Sequence, residues 1–368
     1  MKIKRVELFH VCLPMKFEFI TAKESLSVRE TLIIKLTNEK GMSGFGECAA
    51  FTTPFYTAET LSLAKKVLTE KYLPLLLKAD IAHPFDIHNA TDEKLPMAAA
   101  GVENALLALY AFENDENIIS SLFSERLHSS VKMGMVLGDL PYQDLAERVR
   151  TYRAAGCNRF KIKIKPVDSY EKMERLTASF PDINFLTDAN RSFRISQMHL
   201  LKRFDKLKLL CIEEPFMFHE LMECTQLQKQ FRTPICLDES IQTMGELKRA
   251  AELNMFQMLN IKIGRVGGLY YAKKMISFCR KNGIGFWIGS MVESGISKIL
   301  HLQLAALPDV VMPGDLSDSR RYFENDLIDP PIAFTDGEMK IPTGNGIGVR
   351  VDERAIADYC IDTWVKGN

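Results

Sequence analysis

The 368-residue chain has no excess charge of either sign: 47 Lys and Arg balance 47 Asp and Glu. Without a basic surplus, nothing in it argues for nucleic acid or an anionic membrane surface as partner. It lacks an apolar signal core, since it opens Met1-Lys2-Ile3-Lys4-Arg5-Val6-Glu7-Leu8, and no later run approaches membrane-spanning length. The eight cysteines (Cys12, Cys48, Cys157, Cys211, Cys224, Cys236, Cys279 and Cys360) include no CxxC pair. They read as reduced core thiols of a cytoplasmic protein rather than zinc ligands or disulfides. Low-complexity stretches and linkers are absent too. What remains, 46% hydrophobic and 26% charged residues, is the composition of a globular protein, and the length suggests about two domains.

The central stretch is Arg159-Phe160-Lys161-Ile162-Lys163-Ile164-Lys165. It alternates basic and apolar residues, the period of a strand whose side chains point to opposite faces. Phe160, Ile162 and Ile164 make an ordinary packing face. The other face is three lysines, which are almost never buried unless paired. An exposed edge strand, with lysines discouraging aggregation, would look the same. The downstream chain weighs against that reading. Strand-like segments ending in a charged residue recur at Lys163, Asp188, Glu213, Asp238 and Lys262, spaced 25, 25, 25 and 24 residues apart. Each interval holds a strand, a loop and a helix of about 10–12 residues. Five such residues converge only if the sheet closes, as in a (β/α)8 barrel, whose carboxyl strand ends form the active-site rim.

In chain order, residues 2–13 and 29–48 read as a three-stranded meander with a turn at Asn38-Glu39-Lys40-Gly41. The aromatic-bearing segments 17–25 and 49–57 suit a lid over an apolar ligand, or plain loop packing. Helices are expected at about 58–76 and 98–115, the latter carrying small residues that permit close packing (Ala98-Ala99-Ala100-Gly101 and Ala105). From Val131 the rhythm becomes strand–helix alternation, the mark of a parallel sheet. Strands are expected at 131–137, 159–165, 184–190, 209–214, 234–239, 257–263, 285–290 and 310–315, with an amphipathic helix at 142–154. The tail at 332–342 reads as a hairpin that could return to the N-terminal domain.

Asp188, Glu213 and Asp238 are hard oxygen donors on consecutive strand ends, a set that suits Mg²⁺ or Mn²⁺. Asn190 points the same way. Salt bridging to the lysine strand is the structural alternative. Glu214 and Glu239 should face away by alternation unless a strand-end kink returns them. Lys161 and Lys163 on the second strand face Lys262 on the sixth across a barrel axis. A lysine whose pKa is lowered by desolvation or neighbouring cations is a usable base, and a metal-bound carboxylate stabilises the enediolate left by proton removal beside it. The set therefore describes proton abstraction next to a carboxylate. Schiff-base chemistry is the rival, and it would not require three acids. None of the seven histidines falls on a predicted strand end, which argues against a histidine base. Gly264-Arg265-Val266-Gly267-Gly268 follows a strand and opens a helix as an anion-binding loop would, without dinucleotide spacing.

Lys161-x-Lys163, Asp188-x-Asn190, Glu213, Asp238-Glu239-Ser240 and Lys262 together resemble the muconate-lactonizing-enzyme subgroup of the enolase superfamily, whose members pair lysine or histidine bases with Mg²⁺. Within it the chain is most similar to the o-succinylbenzoate synthase / N-succinylamino acid racemase family. The carrying residues are Arg29-Glu30-Thr31, Gly46-Glu47-Cys48-Ala49-Ala50-Phe51 with Tyr56-Thr57, Asn260-x-Lys262-x-Gly264-Arg265, Glu293-Ser294-Gly295-Ile296 and Pro313-Gly314-Asp315-Leu316-Ser317 with Arg321-Tyr322. The resemblance implies an α/β fold: a (β/α)7β TIM-like barrel at 126–325 and an α+β capping domain at 1–125, completed by 326–368. It further implies Asp188, Glu213 and Asp238 as Mg²⁺ ligands (Mn²⁺ as substitute), Lys163 as base, Lys262 as electrostatic stabiliser, and Lys161 as the residue that tunes Lys163 and the bound carboxylate. Asn190, Arg265, Ser290, Glu293, Ser294, Phe51 and Tyr56 are the expected contacts to a small carboxylate substrate. A homo-oligomer is expected. Lys165, a third lysine on the strand, Ile263 and Met133-Gly134-Met135 depart from the family pattern.

Overall fold

The computed structural model describes residues 1–20 and 25–367. Strands β1 (Ile3–Ile20), β2 (Ser25–Asn38) and β3 (Ser43–Cys48) form the expected antiparallel meander. A C-terminal strand, Cys360–Gly367, pairs with the other edge of β1 and makes the sheet four-stranded. Both faces of the sheet are covered at its middle, over residues 31–34 of β2, while the C-terminal strand is largely exposed. Val6, Leu8, Leu32, Ile34 and Leu36 pack with the helices that follow, while Val11, Leu13 and Ile33 join the barrel core. A sheet covered on one side only would alternate apolar and polar residues; double burial accounts for the unbroken Leu32-Ile33-Ile34.

Where it is described, the segment at 17–25 is strand rather than loop. β1 and β2 stay paired out to Phe19 opposite Leu26 and Ile20 opposite Ser25; residues 21–24 lie outside the described residues. The long hairpin is anchored at the barrel mouth, where the Lys16 N–H donates to the Tyr322 carbonyl at 2.9 Å and Met15 bridges to Phe323. The helix expected at 58–76 is a helical run in three parts, Leu61–Val67, a π-turn at Leu68–Tyr72, and Leu73–Leu76. The next helix, Pro96–Glu113, buries 15 of its 18 residues, so it is covered on all sides. Its small residues let it lie directly on β3. A Cβ on Gly46 would stand 2.1 Å from the Gly101 carbonyl oxygen, and one on Gly44 2.3 Å from that of Ala105.

The strand expected at 131–137 is divided. β4 (Ser130–Lys132) pairs antiparallel with Glu338–Lys340, and only β5 (Met135–Leu137) enters the barrel. The break falls at Gly134, where a Cβ would lie 2.0 Å from the Gly314 oxygen. After β5 come β6 (Arg159–Lys163), β7 (Asn184–Asp188), β8 (Ile212–Glu213), β9 (Ile235–Leu237), β10 (Met258–Ile261) and β11 (Gly285–Ile288), parallel and in chain order. The strand expected at 310–315 forms no ladder. Single hydrogen bonds carry residues 311–316 across the gap between β11 and β5: Val311 N–H to Phe286 O at 3.1 Å and Gly134 N–H to Leu316 O at 3.2 Å. Pro313 has no N–H to give, and Gly314 passes so near the Ile288 carbonyl that a Cβ would sit 1.9 Å from it.

Two further expectations change. The 332–342 segment pairs with β4 instead of returning to the N-terminal sheet; helix Glu353–Tyr359 and the Cys360–Gly367 strand make that return. The 264–268 loop does hold an anion, but it is the chain's own. The Glu103 carboxylate accepts the Leu269 and Tyr270 N–H groups that open helix Leu269–Asn282. All eight cysteines are free. Among the described residues, no helix is long and apolar enough to cross a membrane.

Candidate active site

Register builds the site. Lys163, Asp188 and Glu213 are direct partners across β6, β7 and β8, so three charged side chains leave one row at the carboxyl end of the sheet. Asp238 and Lys262 are the residues immediately after β9 and β10. The three acids are at most 1% exposed. Carboxylates so deep need partners, and the lysines supply them. Lys163 Nζ lies 2.6 Å from Asp188 Oδ2 and 2.5 Å from Asn190 Oδ1. Lys161 Nζ lies 3.1 Å from both Glu213 oxygens and 3.3 Å from Asp188. On the opposite side Lys262 Nζ reaches Asp238 Oδ2 at 2.6 Å and the Tyr56 hydroxyl at 3.0 Å.

Charge and burial pull the titrations apart. Burial pushes Asp188 up, but Lys163 and Lys161 outweigh it and bring the group down to about 2. Burial dominates at Glu213, which rises to about 7 although Lys161 pulls it down. Burial would lower Lys262 and Lys161, yet their neighbours win: Tyr56, Glu239 and Glu213 for Lys262, Asp315, Glu213 and Asp188 for Lys161. Both lysines stand above the usual ammonium range. That direction is opposite to the lowered lysine expected from the sequence, because the groups that favour each ammonium outweigh its burial and the neighbouring cations.

The rim departs from simple alternation at Asn190, Arg191 and Glu214, with left-handed φ of 42°, 65° and 44°. Such values are uncommon outside glycine and concentrate at functional sites. Glu214 does not face outward. Its carboxylate accepts the Asp238 N–H at 2.7 Å, Arg191 Nε at 2.9 Å and the Ser240 hydroxyl. Glu239 turns back into the cleft and accepts Asn190 Nδ2 at 2.9 Å. The same cleft is also lined by Phe51, Phe55, Tyr56, Val136, Met291 and Tyr322. Phe51 and Phe55 pack with ring centroids 4.7 Å apart, and the buried Arg29 guanidinium covers Phe51 at 4.4 Å. Arg29 also donates to the carbonyls of Ala50 (3.0 Å) and Val292 (3.2 Å), tying the 49–57 loop to the barrel.

Lys161, Lys163, Asp188, Asn190, Asp238, Lys262, Ser290, Phe51 and Tyr56 all line one cleft. Arg265 lies behind it, wholly buried, on Asp238 and the Ile241 carbonyl. Glu293 and Ser294 do not line it. Glu293 accepts the Ser290 hydroxyl at 3.1 Å and supports that turn; Ser294 caps helix Gly295–Leu304 and donates to Glu47 at 2.7 Å. Lys165 is past the strand end, 54% exposed, and pairs with Asp139 at 3.0 Å. The sequence reading missed Asp315, Glu239 and Arg191 in the cleft. Asp315 was within reach of the rule that found the others, as a charged residue ending the last expected strand.

Among the described residues, no three acidic, histidine or cysteine side chains form a preassembled metal cage, since the acids grip lysines and Arg265. The donor chemistry nevertheless fits a hard divalent cation: three carboxylates, oxygen only, from adjacent strand ends. Asp188, Glu213 and Asp238 are the residues that would hold it.

Residues 144–355 match the enolase C-terminal domain-like family. The chain is 33% identical over 360 residues to an o-succinylbenzoate synthase of Bacillus subtilis, covering 97% of this chain and 96% of that one. It is 34% identical over 354 residues to an N-succinylamino acid racemase of Thermus thermophilus, covering 95% of each. A solved enolase-superfamily structure from Listeria innocua superposes with a TM-score of 0.94 at 33% identity, over 100% of this chain and 99% of that one. The chain belongs to the enolase superfamily, in the family of o-succinylbenzoate synthases and N-succinylamino acid racemases.

Proposed function

We propose that the protein is an o-succinylbenzoate synthase, which dehydrates a succinyl-hydroxycyclohexadiene carboxylate to 2-succinylbenzoate in menaquinone biosynthesis. The observation that carries its chemistry, proton abstraction beside a carboxylate, is the pair of ammonium groups in one cleft, Lys163 ending β6 on Asp188 and Lys262 following β10 on Asp238. Lys163 removes the proton beside the substrate carboxylate and then delivers a proton to the departing hydroxyl, which leaves as water. Lys262 stabilises the enediolate electrostatically from the other face, and Lys161 holds the carboxylate. A bound Mg²⁺ supplies Lewis-acid stabilisation of the charge that develops on that carboxylate. The apolar lining residues, Phe51, Phe55, Val136, Met291 and the Tyr322 ring, suit the six-membered carbon ring.

A second reading, N-succinylamino acid racemase, is favoured by the same pair of lysines, because a racemase needs an acid and a base on the two faces of one carbon. The test is a side-by-side assay of the Mg²⁺-loaded protein. Ultraviolet absorbance follows aromatisation of the cyclohexadiene, and polarimetry follows N-succinyl amino acids. Aromatisation well ahead of racemisation is expected, with both lost on chelation and restored by Mg²⁺ or Mn²⁺. Racemisation alone would overturn the synthase reading, and silence in both would overturn the pair.

A further inference from the structure

Asp315 stands outside the acid row, on the irregular 311–316 segment, yet it makes the shortest ion pair to Lys161. Its Oδ2 is 2.5 Å from Lys161 Nζ, against 3.1 Å for Glu213 and 3.3 Å for Asp188. Its Oδ1 takes Arg159 Nη1 at 2.6 Å. Arg159 is wholly buried. Its guanidinium lies 4.7 Å from the centre of the Trp287 ring, and Lys161 Nζ lies 5.2 Å from the same ring. Leu186, Cys211, Cys236 and Met312 pack around Trp287. A buried ion pair of this kind is weak evidence for stability, since apolar packing of the same volume serves as well or better. It does impose geometry.

We propose that Asp315 is a positioning residue for Lys161, clamping the ammonium from outside the acid row while Arg159 locks the clamp against Trp287. The physical reason lies in what each partner of Lys161 must do. Under the function proposed above, on which this inference rests for its catalytic consequence, Asp188 and Glu213 are shared with a metal ion. Asp315 is the partner free of that duty, so it keeps Lys161 aimed when the row is engaged. The segment that closes the barrel without a ladder thereby serves the site.

The test compares Asp315→Asn and Asp315→Glu in the native background and in Lys161→Met. A displaced positioning group costs on the order of 10²-fold, and that loss in kcat/KM is expected for Asp315→Asn, appearing in KM if Lys161 grips the ground-state carboxylate. Asp315→Glu keeps the charge and is expected to recover part of it. In Lys161→Met, Asp315→Asn should change kcat/KM by less than about twofold, the scatter of independent sites. An equal loss in both backgrounds would mean a merely structural role and would overturn the proposal. An activity-independent arm uses Trp364→Phe, which leaves Trp287 as the sole tryptophan. Asp315→Asn, or Asp315→Glu should the first not fold, is expected to shift Trp287 emission as the two cations leave the ring. Unchanged emission sinks the clamp, whereas silence in both substrate assays with shifted emission sinks only the functional reading.

Discussion

Buried carboxylates occur in two regions, and they are held in different ways. In the N-terminal layer and along its seam with the barrel, the acids cap helices by accepting backbone N–H groups, joined by His88 at Glu103 and by the Thr31 and Ser294 hydroxyls at Glu47. Glu47 accepts from Ser294 N (3.0 Å) and Ser297 N (3.3 Å), Glu59 from Met97 N (2.7 Å) and Ala98 N (2.8 Å), and Glu103 from Leu269 and Tyr270. At the barrel mouth, Asp188, Glu213, Asp238 and Asp315 are held mainly by lysine and arginine side chains. A backbone N–H cannot turn away without unwinding its helix. An ammonium on a four-carbon stem can. The seam acids are therefore fixed structure, whereas the mouth acids can be released to a substrate or a cation.

The largest effect expected from this contrast is at Lys163. Lys163→Ala should lower kcat/KM on the order of 10⁴-fold, the upper range for a lost acid–base group, with the thermal midpoint retained because Asp188 keeps Lys161 at 3.3 Å. Near-native turnover would remove Lys163 from the role of base. Glu103→Ala should do the opposite. Leaving the Leu269 and Tyr270 N–H groups buried and unpartnered is expected to cost about 1–3 kcal/mol in urea unfolding, with kcat per folded molecule unchanged. A fall in kcat without a fall in stability would break the distinction between the two regions.

A finer test is the pH dependence of stability. Burial pushes Glu59 up to about 7, although the Met97 and Ala98 N–H groups pull it down. Its folded value stands above the unfolded one, so folding takes up a proton. The stability this group confers is full below the ordinary carboxylate range and is lost as pH rises toward about 7. The expected slope is on the order of 1 kcal/mol per pH unit, and it should flatten in Glu59→Gln. Equal slopes in the two proteins would count against a protonated Glu59. The smallest effect is at Lys165, 54% exposed beside Asp139. Lys165→Ala should shift stability by less than about 1 kcal/mol and leave turnover untouched, which would separate the third lysine of the strand from the other two.

Much of this was legible in the chain because periodicity is local. The alternation in β6 places Lys161 and Lys163 on one face, and the 25-residue rhythm brings Asp188 and Glu213 beside them. The misses share one cause: they depend on backbone that leaves regular geometry. Glu214 turns inward where the rim adopts left-handed conformations at Asn190, Arg191 and Glu214 itself, and Glu239, just past the end of β9, turns in to meet Asn190. The segment 310–315 looks like a strand, and its Asp315 satisfied the rule that found the other strand ends; in the structure it carries Pro313 and a Gly314 pressed against the Ile288 carbonyl and forms no ladder. Glu293 and Ser294 carry the family resemblance, but Glu293 supports the Ser290 turn and Ser294 joins the helix start at Gly295 to Glu47.

The sequence by itself determined the barrel, its antiparallel N-terminal layer and the identity of the acids and lysines at the strand ends, because strand period and helix length are set by neighbours in the chain. Only the tertiary structure decided which charge meets which. Lys161 is shared among Asp188, Glu213 and Asp315, and Glu103 fills the glycine loop of a helix 166 residues away. Those pairings are set by barrel closure and by burial, which makes a charge taken from water costly unless the fold brings it a partner.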